Sequence, residues 1–315
     1  MSQSASYVTL DVFTDKRFKG NQVAVVEVPT EPLSTEHMQM IAREFNFSET
    51  VFLYRPDPAQ SPRINIFTPV NEMDFAGHPV IGTGHVLFRQ LLANPKYSIQ
   101  STPESLDIQI NAGTVTVQYD AEKQTVSAQV PHNVHIHSVS APKQSILDTQ
   151  PGLVISKDFK DGFPVVSIVK GVTYVLVDFT EQPDLFAAVK PGPCPVTPLD
   201  SDWAPSFTGV MYYRVLGSRT EQGKKIWDLR VRMIAINLED PACGSGSCSL
   251  GVYLALQDGK ENGVYRLYLD QGSEIGRDSN ITMDVVLNER GDGVASVLLS
   301  GQAAPVTEGK ILLPE

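Results

Sequence analysis

Two short glycine-rich stretches, one in each half of the chain, share their composition and their order. The first reads Asp74-Phe75-Ala76-Gly77-His78-Pro79, and the second reads Asp240-Pro241-Ala242-Cys243-Gly244-Ser245-Gly246. Each follows an apolar stretch typical of a strand, at 64–68 and at 229–236. Each precedes a helical pattern, at 80–92 and at 248–256. This repeated order predicts an α+β fold built by duplication, with several strands around one long helix in each half.

A glycine-rich turn that enters a helix has a specific chemistry. Its backbone N–H groups have no acceptor within the helix, and the positive end of the helix dipole lies beside them. Such turns bind phosphate, sulfate or carboxylate groups. Two of them in corresponding halves predict one anionic ligand held from two sides.

Length and composition limit the class of protein. The 315 residues are enough for two domains, and 42% apolar with 19% charged residues is typical of a globular chain. A net charge of −11 argues against nucleic acid as a partner, because phosphate backbones are bound by basic surfaces. It does not exclude a small anion, which local N–H groups can hold.

No feature of the sequence indicates a membrane or an oxidising compartment. The first residues lack the basic and apolar regions of a signal peptide, and no apolar run approaches the roughly 20 residues of a spanning helix. The three cysteines, Cys194, Cys243 and Cys248, are too few for a disulfide framework. We therefore expect a soluble, cytoplasmic protein.

The crossing between the two halves is predicted near residues 131–143, where two prolines and a Ser/Ala/Lys stretch interrupt the strand patterns. The predicted domains are residues 1–131 and 132–294. A final strand within about 295–315 is expected to join the first domain.

Glu49 is the first candidate for proton transfer. It lies between a helix end and a strand, with Phe47 and Phe52 close in sequence. A carboxylate removed from water there would have a raised pKa suited to acid–base chemistry near neutral pH. The alternative is an ordinary loop carboxylate in solvent, since most glutamates lie on the surface.

Other residues of the two stretches have both chemical and structural interpretations. His78 could act as a general acid or could cap and pack its helix. Asp240 could share a proton with another acid, or could form the turn that Asp-Pro favours. Ser245 could donate to a carboxylate through its hydroxyl and its N–H. Cys243 lies where a helix N-terminus would lower a thiol pKa, which permits a thiol acid or base.

Three patterns predict no function. Residues 217–225 resemble a phosphate-binding loop but have the wrong spacing and no Ser/Thr after the lysine. The elbow of serine hydrolases is absent, since Gly244-Ser245-Gly246 is too short. His132, His135 and His137 cluster without a nearby cysteine or acid, so we expect no metal site.

Taken together, these motifs resemble the phenazine-biosynthesis isomerase (PhzF-like) family, which shares the diaminopimelate-epimerase fold. The similarity extends over nearly the whole chain. It comprises the opening Asp11-Val12-Phe13-Thr14 with Gly20-Asn21, the segment Ser48-Glu49-Thr50, both glycine-rich stretches, Arg232-Met233, and the late pairs Gln271-Gly272 and Gly276-Arg277.

The resemblance implies two pseudo-symmetric domains, each a curved, barrel-like sheet around a central helix, with the site in the cleft between them. It implies a homodimer without a cofactor. In the family a glutamate moves a proton between carbons of a small unsaturated carboxylate, and the matching residues here are Glu49, His78, Asp240 and Ser245. Asn21, Gly77, Cys243, Gly244 and Gly246 are the expected substrate-binding residues.

One departure from the family pattern leaves a second enzyme class open. Cys243 occupies a position that is commonly threonine and thereby resembles the epimerase branch, which uses two thiols. Ala76 removes the first thiol, so a two-thiol racemase is not expected. The alternatives are a thiol-assisted epimerase that uses Cys243, and a non-catalytic protein that binds small anions.

Overall fold

The computed structural model describes residues 3–54, 61–93, 103–154 and 159–315. The chain divides into two compact units. The first contains Met1–Gln129 and Ser300–Glu315, and the second contains Val130–Leu299.

The first unit begins with eight strands and two helices. In chain order these are β1 (Ser4–Val12), β2 (Asn21–Val28), α1 (Thr35–Phe45), β3 (Glu49–Tyr54), β4 (Arg63–Phe67), β5 (Glu72–Met73), α2 (Gly77–Ala93), β6 (Ser105–Ile110), β7 (Gly113–Asp120) and β8 (Thr125–Gln129).

The second unit contains most of the remaining elements. These are β9 (His135–Ile136), β10 (Ala141–Pro142), α3 (Lys143–Thr149), β11 (Gly162–Phe163), β12 (Val165–Val169), β13 (Val172–Asp178), α4 (Pro183–Ala188), β14 (Phe207–Glu221), β15 (Lys224–Ala235), β16 (Leu238–Asp240), α5 (Gly244–Asp258), β17 (Val264–Gln271), a 3₁₀ turn (Ser273–Ile275), β18 (Ser279–Leu287) and β19 (Val294–Gly301). The chain re-enters the first unit within β19 and ends with β20 (Ala303–Leu312).

The strands of the two units pair in the same order. In the first unit β1–β2, β3–β4 and β6–β7 are antiparallel, whereas β2–β3 and β4–β6 are parallel. In the second unit β12–β13, β14–β15 and β17–β18 are antiparallel, whereas β13–β14 and β15–β17 are parallel. The long helix follows the fourth of these strands each time. The duplicated α+β fold predicted from the sequence is confirmed.

Helix α2 lies among the strands of its unit and contacts β1, β2, β3, β7, β8 and β20. Every residue from Gly77 to Phe88 is buried, so this part of the helix has no polar face, and only the last turn from Arg89 onward reaches solvent. This surrounding of strands explains its composition, because a helix enclosed on all sides must be apolar or small throughout. No helix in the described part of the chain has the length and apolar character needed to cross a membrane.

Helix α1 packs on strands β3 and β4. Ser34 caps it by accepting a hydrogen bond from the N–H of His37, and Met38, Ile41 and Ala42 face inward. They pack into a cluster that includes Phe52 and Phe67, whose rings meet edge to face. Strand β3 therefore contacts both α1 and α2, whereas β4 contacts α1.

Helix α5 is the counterpart of α2 and packs on β12, β13, β14, β17 and β18. Helices α3 and α4 contribute Ile146 and Phe186 to a separate cluster with Phe163, Phe179 and Tyr212. The second unit thus repeats the arrangement of strands with one enclosed helix and short helices outside.

Both long helices begin earlier than the sequence patterns predict. Helix α2 starts at Gly77 instead of residue 80, and α5 starts at Gly244 instead of residue 248. The glycines have low helix propensity, but enclosure by strands overrides that preference. Consequently His78 and Ser245 lie in the first helical turn rather than in a preceding loop.

Position 82 of α2 requires glycine because two valine side chains lie close to its backbone. A Cβ at Gly82 would lie 2.8 Å from Cγ1 of Val23 and 3.1 Å from Cγ2 of Val12. We expect Gly82→Ala to lower the free energy of unfolding by about 1–3 kcal/mol, since valine side chains cannot rotate away. Urea denaturation measures the change.

Gly251→Ala in α5 is the matched control. Its added Cβ would meet Sδ of Met283, the mobile end of a flexible side chain, and the change should cost less. If Gly82→Ala were as stable as Gly251→Ala, close packing by the valines would not be the reason for the glycine.

Candidate functional site

Glu49 and His78 come together in the first unit. Glu49 is the first residue of β3, which pairs in parallel with β2 so that Glu49 lies beside Val23. His78 is the second residue of α2. Nε2 of His78 lies 3.4 Å from Oε2 of Glu49, and the two side chains are 6% and 17% exposed. The parallel pairing and the helix start thus place a carboxyl beside an imidazole.

Burial dominates the electrostatics of Glu49. It raises the pKa of the carboxyl to about 7, and the neighbouring Ser48 side chain only partly opposes this rise. Oε2 accepts no hydrogen bond from the described residues. A carboxyl with a pKa of about 7 is half ionised at neutral pH and can both accept and return a proton.

The neighbours of this pair orient it. Nε2 of His78 lies 3.3 Å from the backbone oxygen of Gln22, to which a protonated Nε2 donates. Asn21, at the start of β2, is buried, and its Oδ1 accepts a hydrogen bond from Ser48 at 3.3 Å. Asn21 therefore supports the residue before Glu49 through its side chain.

The start of α2 provides a positive helix end beside these groups. The first backbone bond of the helix runs from the N–H of Val80 to the oxygen of Ala76 at 3.4 Å. Pro79 has no N–H, and the N–H of Gly77 has no acceptor in the described part of the chain. Gly77 thus offers a backbone donor at the positive end of the dipole.

The start of α5 in the second unit is capped by sulfur. Sγ of Cys243 accepts the N–H of Gly246 at 3.3 Å, and the oxygen of Cys243 accepts the N–H of Ser247 at 3.0 Å. Among hydrogen bonds of the described residues, none uses the N–H of Gly244 or Ser245. Gly246 is therefore part of the cap, and Gly244 and Ser245 carry the available donors.

The thiol of Cys243 differs from the expectation based on its place at a helix N-terminus. Burial and the nearby Asp240 carboxylate raise its pKa to about 12 instead of lowering it. The helix end does not compensate, because the sulfur is almost fully removed from water. The thiol remains protonated at physiological pH.

Asp240 forms the turn that leads into α5. Its Oδ1 accepts the N–H of Ala242 at 2.8 Å, which is the arrangement that Asp-Pro favours. The side chain of Gln271 spans the same turn: Nε2 donates to the oxygen of Asp240 at 2.7 Å, and Oε1 accepts the N–H of Cys243 at 3.1 Å. Gln271 therefore fixes both ends of the segment that carries Asp240.

Sequence reasoning missed Tyr174 of β13. Its hydroxyl lies 2.7 Å from Oγ of Ser245 and 3.3 Å from Sγ of Cys243. Burial raises the pKa of this phenol well above its usual value, so the hydroxyl stays neutral. No motif links residues so far apart in sequence, and only the fold brings them together.

A buried ion pair supports the strands before α5. Arg232 of β15 and Glu239 of β16 form two hydrogen bonds of 2.8 and 2.6 Å, and both residues are buried. Arg232 also donates to the oxygen of Phe186 at 2.9 Å. The pair fixes the β15–β16 hairpin whose last residue is Asp240.

The histidine cluster has an acidic neighbour that the sequence argument did not foresee. Oδ2 of Asp200 lies 2.7 Å from Nε2 of His135 and 3.9 Å from Nδ1 of His137. However, Nδ1 of His137 already accepts the N–H of Asp200 at 3.0 Å, and its Nε2 lies 2.9 Å from Oγ of Ser167. The geometry is that of a hydrogen-bonded network in which both ring nitrogens of His137 are used.

The candidate residues thus form two groups. Asn21, Glu49, Gly77 and His78 lie together in the first unit. Asp240, Cys243, Gly244, Ser245 and Gly246 form the turn and first helical residues in the second. The first group carries a carboxyl that titrates near neutral pH, and the second carries the backbone and hydroxyl donors that follow the Asp240 turn.

The raised pKa of Glu49 predicts a pH-dependent stability. Between pH 4.5 and 7 the unfolded chain releases the proton while the folded chain keeps it, so stability falls as pH rises. Glu49→Gln lacks this titration. From pH 5 to pH 8 its free energy of unfolding should gain roughly 2–3 kcal/mol relative to the unmodified protein.

Urea denaturation at several pH values measures this difference. Glu44→Gln, at an exposed position of α1, is the control and should follow the unmodified protein. Parallel curves for Glu49→Gln and Glu44→Gln would mean that the Glu49 carboxyl has an ordinary pKa.

Comparison with known proteins gives consistent matches over nearly the full chain. Residues 10–309 match the family described as phenazine biosynthesis-like protein. An uncharacterized isomerase of Mesorhizobium japonicum is 29% identical over 322 residues, covering 99% of this chain and 100% of the relative. The trans-2,3-dihydro-3-hydroxyanthranilate isomerase of Pseudomonas aeruginosa is 30% identical, with 98% and 99% covered.

Solved structures agree on the fold. A phenazine biosynthesis protein of the PhzF family from Bacillus anthracis superposes with a TM-score of 0.72 at 21% identity, covering 98% of this chain and 99% of the other. A hydroxyproline epimerase from Agrobacterium vitis gives 0.59 at 14% identity, with 100% and 95% covered. The fold is therefore that of the epimerase-like proteins, and the chain is an isomerase that belongs to the phenazine biosynthesis-like protein family.

Proposed function

We propose that this isomerase moves a proton between two carbons of a small unsaturated carboxylic acid, with Glu49 as the acid–base group and without a cofactor. The observation that carries the proposal is the buried Glu49 carboxyl, whose pKa is about 7 and whose Oε2 lies 3.4 Å from Nε2 of His78. A carboxyl in this state is populated in both forms at neutral pH.

The reaction needs one proton carrier and no redox step. Ionised Glu49 removes a proton from one carbon, and the electron pair delocalises into the conjugated system and the substrate carboxylate. Protonated Glu49 then returns the proton to another carbon, which restores the starting enzyme. His78 would support the carboxyl during both steps, since its ring is held by the oxygen of Gln22.

The substrate carboxylate is assigned to the helix ends. The N–H groups of Gly77, Gly244 and Ser245, with the Ser245 hydroxyl, are donors at positive dipole ends. Asn21 and Asp240 would assist by fixing the segments beside Glu49 and before α5, as their hydrogen bonds to Ser48 and Ala242 support. Cys243 and Gly246 would contribute to substrate binding indirectly, because their hydrogen bond caps α5 and shapes the helix end that holds the carboxylate.

That both groups serve one substrate in a cleft between the domains is part of the proposal, and it rests on the family pattern. A homodimer is proposed on the same ground, and a cytoplasmic location on the small number of cysteines. Cooperation between the groups is testable without a bound structure. If they act on one molecule, Glu49→Gln and Ser245→Ala should have non-additive effects on kcat/KM.

The thiol alternative has less support. A thiol with a pKa of about 12 is ionised in only about one molecule in 100,000 at pH 7. Sγ of Cys243 is also engaged as the cap of α5. The binding-protein alternative has no such obstacle, and turnover of any acid would exclude it.

Proton exchange at carbon tests the mechanism. The protein is incubated in deuterated water with trans-2,3-dihydro-3-hydroxyanthranilate, the substrate named for the Pseudomonas aeruginosa relative, and with a panel of small unsaturated acids. We expect deuterium at carbon for at least one acid. Glu49→Gln should lower the exchange rate about 100- to 10,000-fold, because glutamine cannot carry the proton.

Two further variants separate the alternatives. Cys243→Ser should keep substantial exchange, and Glu44→Gln should behave like the unmodified protein. Loss of exchange in Cys243→Ser, with exchange retained in Glu49→Gln, would replace the glutamate mechanism by the thiol mechanism. Anion binding without exchange for any acid would indicate a binding protein.

A further inference from the structure

Ser245 is the one residue between Ala242 and Leu250 that is not fully buried. Its Oγ lies 2.7 Å from the hydroxyl of Tyr174, whereas Sγ of Cys243 is more distant from that Oγ, at 3.7 Å. A serine hydroxyl has one proton to donate and can accept two hydrogen bonds. The direction of the Tyr174–Ser245 bond therefore decides where the serine proton points.

The position of Tyr174 is fixed by its own unit. The side chain is 2% exposed, and β13 and β14 pair in parallel with Tyr174 beside Gly209. A Cβ at Gly209 would lie 3.0 Å from Cε1 of Tyr174, so the missing side chain leaves room for the ring. The ring of Phe207 meets it edge to face at 6.0 Å. The hydroxyl is thus held at the start of α5 by packing.

We propose that Tyr174 is a positioning residue that donates its hydroxyl hydrogen to Oγ of Ser245 and thereby directs the Ser245 proton toward an anion at the start of α5. This inference rests on the proposed function, which assigns a substrate carboxylate to that helix end. The neutral phenol has no other close acceptor than Oγ of Ser245 and Sγ of Cys243 among the described residues.

In this arrangement the Tyr174 hydroxyl donates to the Ser245 hydroxyl, and the Ser245 hydroxyl donates to the bound anion. A hydroxyl that accepts a hydrogen bond becomes a better donor, because the two bonds polarise each other. The anion then receives the Ser245 hydroxyl together with the N–H groups of Gly244 and Ser245. Without Tyr174, the Ser245 hydroxyl is free to rotate toward Cys243 or solvent.

Sulfate binding tests the inference without a substrate. The full-length protein is titrated with sulfate at constant ionic strength, and the amide resonances of Gly244 and Ser245 report the Kd. We expect Tyr174→Phe, which keeps the ring, to weaken sulfate binding about 3- to 10-fold, as for the loss of one oriented hydrogen bond. Ser245→Ala should weaken it at least as much.

The double variant distinguishes positioning from packing. Tyr174→Phe should have no further effect in the Ser245→Ala background, because the hydroxyl it orients is gone. Equal losses in both backgrounds would mean that Tyr174 acts through packing alone and would overturn the inference. Tyr265→Phe is the matched control, since this buried tyrosine of β17 donates to Asp258 at 2.9 Å and should bind sulfate normally.

The outcomes also separate this inference from the function it rests on. If sulfate shifts neither amide in the unmodified protein, the anion site of the proposed function fails and the inference fails with it. If the unmodified protein binds sulfate and Ser245→Ala does not, but Tyr174→Phe binds normally, the anion site stands and only the role of Tyr174 is wrong.

Discussion

Each unit depends on a helix that strands enclose over most of its length. Helix α2 is buried from Gly77 to Phe88, and strands of its own unit surround it. Close contact of this kind requires glycine where a neighbouring side chain is stiff, as Val23 is opposite Gly82. The same enclosure holds the helix start in a fixed place. The backbone donors at the N-terminus are therefore preorganised, which is what an anion site needs.

Polar groups near the two helix starts are kept in place by residues that do no chemistry themselves. Gln271 bonds both to the oxygen of Asp240 and to the N–H of Cys243, and so fixes the turn before α5. The Arg232–Glu239 pair fixes the hairpin that precedes it. Removing one partner of such a buried pair leaves a charge without compensation, which is strongly destabilising. The positions of Asp240 and of the first residues of α5 therefore depend on strands β15, β16 and β17.

Local patterns in the sequence were sufficient for the α+β class and the duplication, and the family resemblance supplied the candidate residues. The paired glycine-rich stretches predicted the duplication. The starts of α2 and α5 were predicted three and four residues late, because enclosure by strands outweighs the low propensity of glycine. Tyr174 and Asp200 gave no signal, and Gln271 appeared only as part of a late motif without a role, since the partners of all three are distant in sequence and only the fold brings them together. The protonated state of Cys243 was missed because burial outweighs the helix end.

Burial has opposite chemical consequences for the two candidate proton carriers. The carboxyl of Glu49 starts from a low pKa, and removal from water raises it to about 7, where both protonation states are populated. The thiol of Cys243 starts from a high pKa, and the same effect raises it to about 12, where only the neutral form remains. An enclosed site in this fold therefore favours a carboxylate as the group that moves protons, unless a nearby cation lowers the thiol pKa. Near Cys243 the charge of Asp240 raises the thiol pKa further, and the hydrogen bonds with Tyr174, Gly246 and Ser245 lower it only in part. This difference is the physical reason for proposing Glu49 as the proton carrier, whereas the thiol of Cys243 caps α5.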